Sequence, residues 1–537
     1  MKRFVSVIAL ICLLLSMVSC AETSNKDNHD SDLSVLDSSD GVSSESASPE
    51  VDIRYEGMIA RTEPVLNKMT LKNVFYNTAE VTDICLIDVS QSDADTIETL
   101  RSLQGLVARN YGGAIYLHSG SAADEFWFEY LSSEYGFYFK RTTPAEAIKR
   151  FSKYIKGAIT YSDDNPYEYT VANNVAIQSE YLLVTENTTS LVSPVLTNKP
   201  LIDIRGQFKN KREAYDYIIE NCLPQSSIRY LGFASKSTGF ADYLYAIKAL
   251  VIDFDFSEEW ETEMLSNLIG RPDWNEVCYV FTDRKMSSAL VNTFSSNGFG
   301  IINVGNFANT TLLSSATIEY SSNNPKYENK TLNKNMIYAS IHYNVDSLAD
   351  IQRTAYTVWG QKSENSAISV EFHPVLYELA PPIAKWFRQN RTNNDMLISA
   401  DLGCGIMNLS VMTPSTADKF RRVNEYFLKM CGIDVVSDGE KIYTLSSYND
   451  MLDGLTVPET ETNITASMSF TDVEGFENWI TNAEPISVAP MYFLIELSSN
   501  DFTGYEFAQV DKIITQLLKN KKGVFKFVHA KNILQYM

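Results

Sequence analysis

Three apolar runs in one stretch, MIYASIHYNVD (336–346), AISVEFHPVLYELAP (367–381) and MLISADLGCGIMN (396–408), decide how this chain is read. Each gives way to polar residues where a parallel β-strand would hand over to a loop, and helix-forming sequence follows at least the first two. In α/β proteins ligands sit outside the carboxyl ends of the strands. The exits of these runs carry Asn344, Asp346, Glu371, His373 and Asp401, which makes them the candidate site.

Working outward, the alternation of apolar run and helical pattern continues on both sides. Upstream lie IRYLGFA, ALVIDFD, EVCYVFT and GIINV, and downstream ITASMSF, VAPMYFLIEL and VFKFV. Between several of them stand helical patterns such as FADYLYAIKAL, PSTADKFRRVNEYFLKM and EFAQVDKIITQLLKN. About eight to ten strands spaced by helices is the pattern of a (β/α) barrel, so residues 226–537 read as a barrel-like domain. Nearer the amino terminus, TDICLIDV, DADTIETLRSLQGLVARN and AIYLHS give strand, helix and strand, joined by a right-handed crossover. The cycle repeats through PAEAIKRFSKYIKG, AITYS, NNVAIQSEYLLVT and KPLIDIRG. Residues 51–225 therefore read as an open Rossmann-like α/β domain. No glycine-rich fingerprint follows any of its strands, so no nucleotide cofactor is expected, and no other cofactor.

The 45 basic and 67 acidic residues among 537 leave a net charge of −22, which repels nucleic acid instead of neutralising it. The amino terminus carries an address. Lys2 and Arg3 precede the apolar FVSVIALICLLLSM (4–17), and Met17-Val18-Ser19-Cys20 places small residues before a cysteine. This is a secretory signal, and it resembles that of bacterial lipoproteins, with Met17 where Leu is usual. The resemblance implies removal of the signal peptide 1–20 up to Cys20, lipidation of Cys20, and a protein anchored on the outer face of the cell membrane. Residues 21–50, rich in Ser and Asp, bury too little to order themselves and read as a tether. Cys85, Cys222, Cys278, Cys404 and Cys431 remain, an odd number without a disulfide pattern, and Cys85 and Cys278 read as small core residues.

The order of segments is itself familiar. LRSLQGLVARN, AIYLHS and NNVAIQSEYLLV resemble the first domain of the GxGYxYP family, to which glycoside hydrolase activity is ascribed. FADYLYAIKALVIDFD, GFGIINVGNFANTTLLSS and FHPVLYELAPPIAKWF resemble its carboxyl-terminal domain. The resemblance implies an extracytoplasmic protein with carbohydrate as its partner. The naming motif falls on Gly403-Cys404-Gly405-Ile406-Met407-Asn408-Leu409, which keeps both glycines. Ile406, Asn408 and Leu409 replace its two tyrosines and its proline. An Asp-Gly-Asp-Asn segment of the family falls on Asn344-Val345-Asp346-Ser347, where only the second acidic residue survives.

Cleaving a glycosidic bond takes two carboxyl groups, one protonated and one ionised. Asp346 and Asp401 are the expected catalytic pair, with Glu496 in reserve. Strand alternation is expected to turn Glu371 outward. His373, Asn344, Gly403, Gly405 and Asn408 are the expected substrate contacts, the glycines because they let backbone approach a ligand closely. His342, Asp346 and His373 have the chemistry of a hydrolytic zinc site, but nothing in their spacing enforces its geometry, and no metal is expected. Gln104 is placed facing a cleft between domains, and Gly305–Asn309 as a rim loop. The competing reading is a non-catalytic carbohydrate-binding or surface interaction protein that kept the scaffold.

Overall fold

The computed structural model describes residues 74–534 apart from 237, 272–276, 319–332, 361, 364–365, 393, 402, 438–441, 445–463, 486–489 and 522. Cys20, the signal segment, the tether and residues 51–73 lie outside the described residues.

The first strands are β1 (Asp83–Asp88), β2 (Ile115–His118) and β3 (Tyr138–Arg141), ordered β2-β1-β3. β4 (Gly157–Thr160), β5 (Tyr181–Val184) and β6 (Leu201–Asp203) form a second sheet, ordered β5-β4-β6. Both are wholly parallel. Helix Ala94–Asn110 joins the two. It starts where Asp93 accepts the Thr96 backbone N–H at 2.7 Å. Its Thr99 hydroxyl donates to Leu183 O at 2.8 Å, and its Ser102 hydroxyl accepts from Leu183 N at 3.2 Å. Gly105 on the same helix lets Ala241–Ala246 approach so closely that a Cβ would lie 2.4 Å from Asp242 O.

A third parallel sheet has the order β10-β9-β7-β8, from β7 (Tyr230–Phe233), β8 (Leu250–Ile252), β9 (Cys278–Thr282) and β10 (Phe299–Asn303). β7, β8 and β9 are buried along their whole length, as parallel strands covered on both faces must be. Cys278 at the start of β9 and Cys85 in β1 are both fully buried, as expected of core residues. One apolar core runs through all of these sheets and into the next.

The remaining strands are β11 (Ile337–Asn344), β12 (Ile368–Phe372), β13 (Met396–Ser399), β14 (Val435–Ser437), β15 (Ile442–Thr444), β16 (Ile464–Phe470), β17 (Met491–Ser498) and β18 (Phe525–Phe527). They make an eight-stranded sheet ordered β15-β14-β13-β12-β11-β17-β16, with β18 beside the start of β11 and only β15 antiparallel. The sheet curls into a half-barrel, so the α/β class and the barrel-like second half are both present, with β7–β10 standing apart as their own sheet.

Its two faces differ. Ile341, Tyr343, Val370, Phe372, Ile495 and Leu497 pack into the main core on one side. On the concave side Tyr338, Tyr492, Val528 and Ile533 form one small cluster, and Met396, Ile398, Val435 and Ala530 another. The last helix, Ala530–Leu534, thereby closes the amino-terminal end of the concave face, and Ala530 N donates to Ser369 Oγ at 3.0 Å. The carboxyl-terminal end is left for the site.

Candidate active site

Side chains alternate across a strand, and the register fixes which of them share the concave face. His342 lies opposite Glu496 on β17 and opposite Ser369 on β12, so Ser340, His342, Asn344, Ser369, Glu371 and Glu496 belong together. Above the apolar plug comes a hydroxyl pair, Ser340 and Ser369, 3.4 Å apart. The next layer holds His342, Glu371 and Glu496. Asn344, Asp346, His373 and Asp401 form the rim.

Glu371 therefore faces inward, against the expectation from its position before Phe372. His342 Nε2 lies 3.2 Å from Glu371 Oε1, with both side chains buried. Burial pushes the Glu371 carboxyl up, but His342, Ser437 and the Val345 N–H outweigh it and hold the group below the usual range. Glu496 sits at the same depth on the other side of His342, and its Oε2 accepts the Ser469 hydroxyl at 2.8 Å.

Asp401 follows β13 in the left-handed region, at φ +49°, uncommon for a side chain other than glycine. The loop behind it is clamped. Gly403 N donates to Ala400 O at 2.8 Å, and Ile406 exchanges two backbone hydrogen bonds with Ile301 of β10. Gly403 and Gly405 serve this clamp. A Cβ on Gly403 would strike Asn424 Oδ1, and one on Gly405 would lie 2.7 Å from Ile301 O. The close approach these glycines permit is to protein backbone and side chain. Asn408 is likewise engaged elsewhere: its Nδ2 donates to Asn292 and its Oδ1 accepts from Ser410, away from Asp401.

At the rim, His373 Nδ1 lies 3.4 Å from Asp401 Oδ2. Burial lowers His373 to about 4, although Glu371 and Asp346 pull it upward. Burial raises Asp401 to about 8, helped by the charges of Glu371 and Asp346 and opposed by Lys285. Between those midpoints neither partner is charged, so the contact is a neutral one. The Asp401 side chain keeps 26% of its surface exposed, enough to meet a ligand. Asp346 is exposed at the mouth. Its Oδ2 accepts Asn500 Nδ2 at 2.6 Å, and its backbone carbonyl accepts Asn303 Nδ2 at 2.8 Å.

The structure thus gathers Asp346, His373 and Asp401 at one mouth, with Asn344 on the same strand end, and sets Glu496 a layer deeper. The two histidines pair with separate carboxyl groups, and among the described residues no group of three or more His, Cys, Asp or Glu is arranged around a metal position. His342 and Glu371 share one signal in the sequence. SIHYN and SVEFH place polar residues at every second position of otherwise apolar strands, which marks one face as polar.

Gly305, in the loop after β10, lies close to the segment that follows Asp346: a Cβ there would be 2.6 Å from Ser347 Oγ. Asn309, expected on the rim, is instead buried between sheets. Its side chain bonds both Leu117 N and Leu117 O on β2 and accepts Gln104 Nε2 at 2.9 Å.

No curated protein matches this chain. A crystal structure described as a "putative hydrolase" from Bacteroides thetaiotaomicron VPI-5482 superposes with a TM-score of 0.67 at 15% identity, covering 86% of this chain and 95% of that one. That likeness is one of fold. Residues 85–153 match the model of the GxGYxYP_N 1st domain, so the chain is similar to the GxGYxYP family through the segment that holds β1, helix Ala94–Asn110, β2 and β3.

Proposed function

We propose that this chain is a hydrolase-like, extracytoplasmic lipoprotein acting on carbohydrate, with Asp401 as general acid and Asp346 as its partner carboxylate. The observation that carries the reading is Asp401 itself. Its carboxyl, raised to about 8, keeps its proton at neutral pH while it faces the acidic groups of Asp346 and Glu371. Glycoside cleavage needs such a division of labour. Asp401 would pass its proton to the departing glycosidic oxygen as the C–O bond breaks. Asp346, exposed at the mouth, would attack the anomeric carbon or take a proton from the water that does. The description of the Bacteroides structure as a "putative hydrolase" agrees with this reading.

The test is a glycan array probed with the full chain, with hydrolysis assayed on the sugars it retains. Asp401→Asn and Asp346→Ala should each lower turnover about 100-fold or more while leaving retention in place. Full turnover in either variant overturns the assignment. Retention without any hydrolysis would favour the second reading, a carbohydrate-binding protein. That reading draws on Asn344, which stands at an acidic position of the family.

The lipid on Cys20 belongs to the same proposal. Cys20→Ser should abolish incorporation of labelled palmitate and release the chain from the membrane fraction. Incorporation unchanged in that variant would remove the anchor.

A further inference from the structure

The rim holds one buried polar atom that the reading above leaves idle. His373 Nε2 has no hydrogen-bond partner, and the residue is only 4% exposed. Its other ring nitrogen is the one that faces Asp401 Oδ2, at 3.4 Å. A neutral imidazole carries one hydrogen, on one nitrogen or the other. Placed on Nε2, that hydrogen would be a buried donor without an acceptor, which folded proteins rarely tolerate. Placed on Nδ1, it lies on the side of the ring nearest Asp401 Oδ2, 3.4 Å away.

We propose that His373 is the positioning residue of this site: its Nδ1–H holds Oδ2 of Asp401, so that the acid's O–H on Oδ1 is turned toward the cleft. The proposal rests on the reading of Asp401 as the general acid. A protonated carboxyl has one oxygen that only accepts and one that donates. Occupying the accepting oxygen from behind leaves the donor free for a substrate oxygen. The separation of 3.4 Å is long for a finished hydrogen bond, as is common for catalytic contacts in sites without a ligand. The backbone supports the same orientation, because Asp401 is held at φ +49° by a loop clamped onto β10. Ala400 N, just before it, donates to Phe372 O, which ties the two loop entries together.

The experiment compares His373→Asn, which keeps a donor near the Nδ1 position, with His373→Leu, which has none. In the full chain His373→Leu should lower kcat about 30-fold or more with KM within threefold, and His373→Asn should recover most of it. A donor to Asp401 favours its ionised form, so its loss in His373→Leu should move the alkaline limb of the kcat profile to higher pH. His373→Asn should leave that limb in place. Equal kcat in the two variants, or a limb moving to lower pH in His373→Leu, overturns the proposal. Carboxyl titration by NMR on carbon-13-labelled aspartate, with Asp401→Asn identifying the signal, reads the same contact without turnover. If no sugar is hydrolysed, the function proposed above fails by itself. An Asp401 midpoint that rises in His373→Leu alone then still supports the pairing, and an unmoved midpoint overturns it.

Discussion

Gln104 and Asn309 share a hydrogen bond of 2.9 Å although 205 positions separate them, and it ties the helix beside the first sheet to the loop after β10. Asn309 holds both backbone groups of Leu117 at once and sits at φ +60°. Gln104 adds a second bond to Ile115 O, so the amide pair extends the edge of β2 as a strand would.

Asn309→Ala should cost about 2–4 kcal/mol, because it strands buried backbone groups of Leu117 and puts alanine in a left-handed backbone. Asn309→Gly, which suits that backbone, should cost less. Urea denaturation of both variants checks the order. A double-mutant cycle with Gln104→Ala should give a coupling of about 0.5–3 kcal/mol.

Stability should depend on pH through the rim pair, with opposite signs. Asp401 is raised to about 8 in the folded chain, from an ordinary 3.8, so the native state holds a proton there that the unfolded chain releases. Its contribution is complete below the ordinary value and is lost as pH climbs through about 8. His373 is lowered to about 4 from 6.5, so its contribution is present above 6.5 and lost as pH falls toward 4. Asp401→Asn should therefore flatten the alkaline fall, and His373→Asn the acid one, in thermal melts taken across that range.

Gly405→Ala should break the join between the Asp401 loop and β10. The new Cβ would lie 2.7 Å from Ile301 O, and the backbone sits at φ +126°, where alanine is strained. A loss of more than about 1 kcal/mol is expected, together with weaker sugar retention on the array. Loss of stability with retention intact would separate the clamp from the site.

Glu371→Gln should lower the Asp401 midpoint below about 8, since the Glu371 charge is one of the causes that raise it. Glu371→Ala should in addition destabilise the fold by about 1–3 kcal/mol, by leaving His342 buried without its partner. Aspartate carboxyl NMR reads the first effect and denaturant midpoints the second.

Much of the fold was written in local pattern. A run such as CYVFT, apolar throughout, reads as a strand covered on both faces, and helices between such runs favour parallel pairing. Of the candidate site, Asp346, His373 and Asp401 stand at strand exits, where such sheets place ligands. Glu371 was misjudged, since a polar residue before an aromatic gives no direction until the parity of the neighbouring strand is known. Gly403, Gly405 and Asn408 were read as ligand contacts, and what they touch is β10, Asn424 and Asn292, positions that sequence neighbourhood does not reveal.

What the sequence determined alone was the alternation of strand and helix, the acidic surface charge and the set of polar strand exits, because each depends on residues within a few positions of one another. Tertiary structure decided which exits meet, which face of the curled sheet is polar, and why Asp401 keeps its proton. A carboxyl's affinity for a proton depends on the water it has lost and on the charges of Glu371 and Asp346, which reach it only when strands distant in the chain lie side by side.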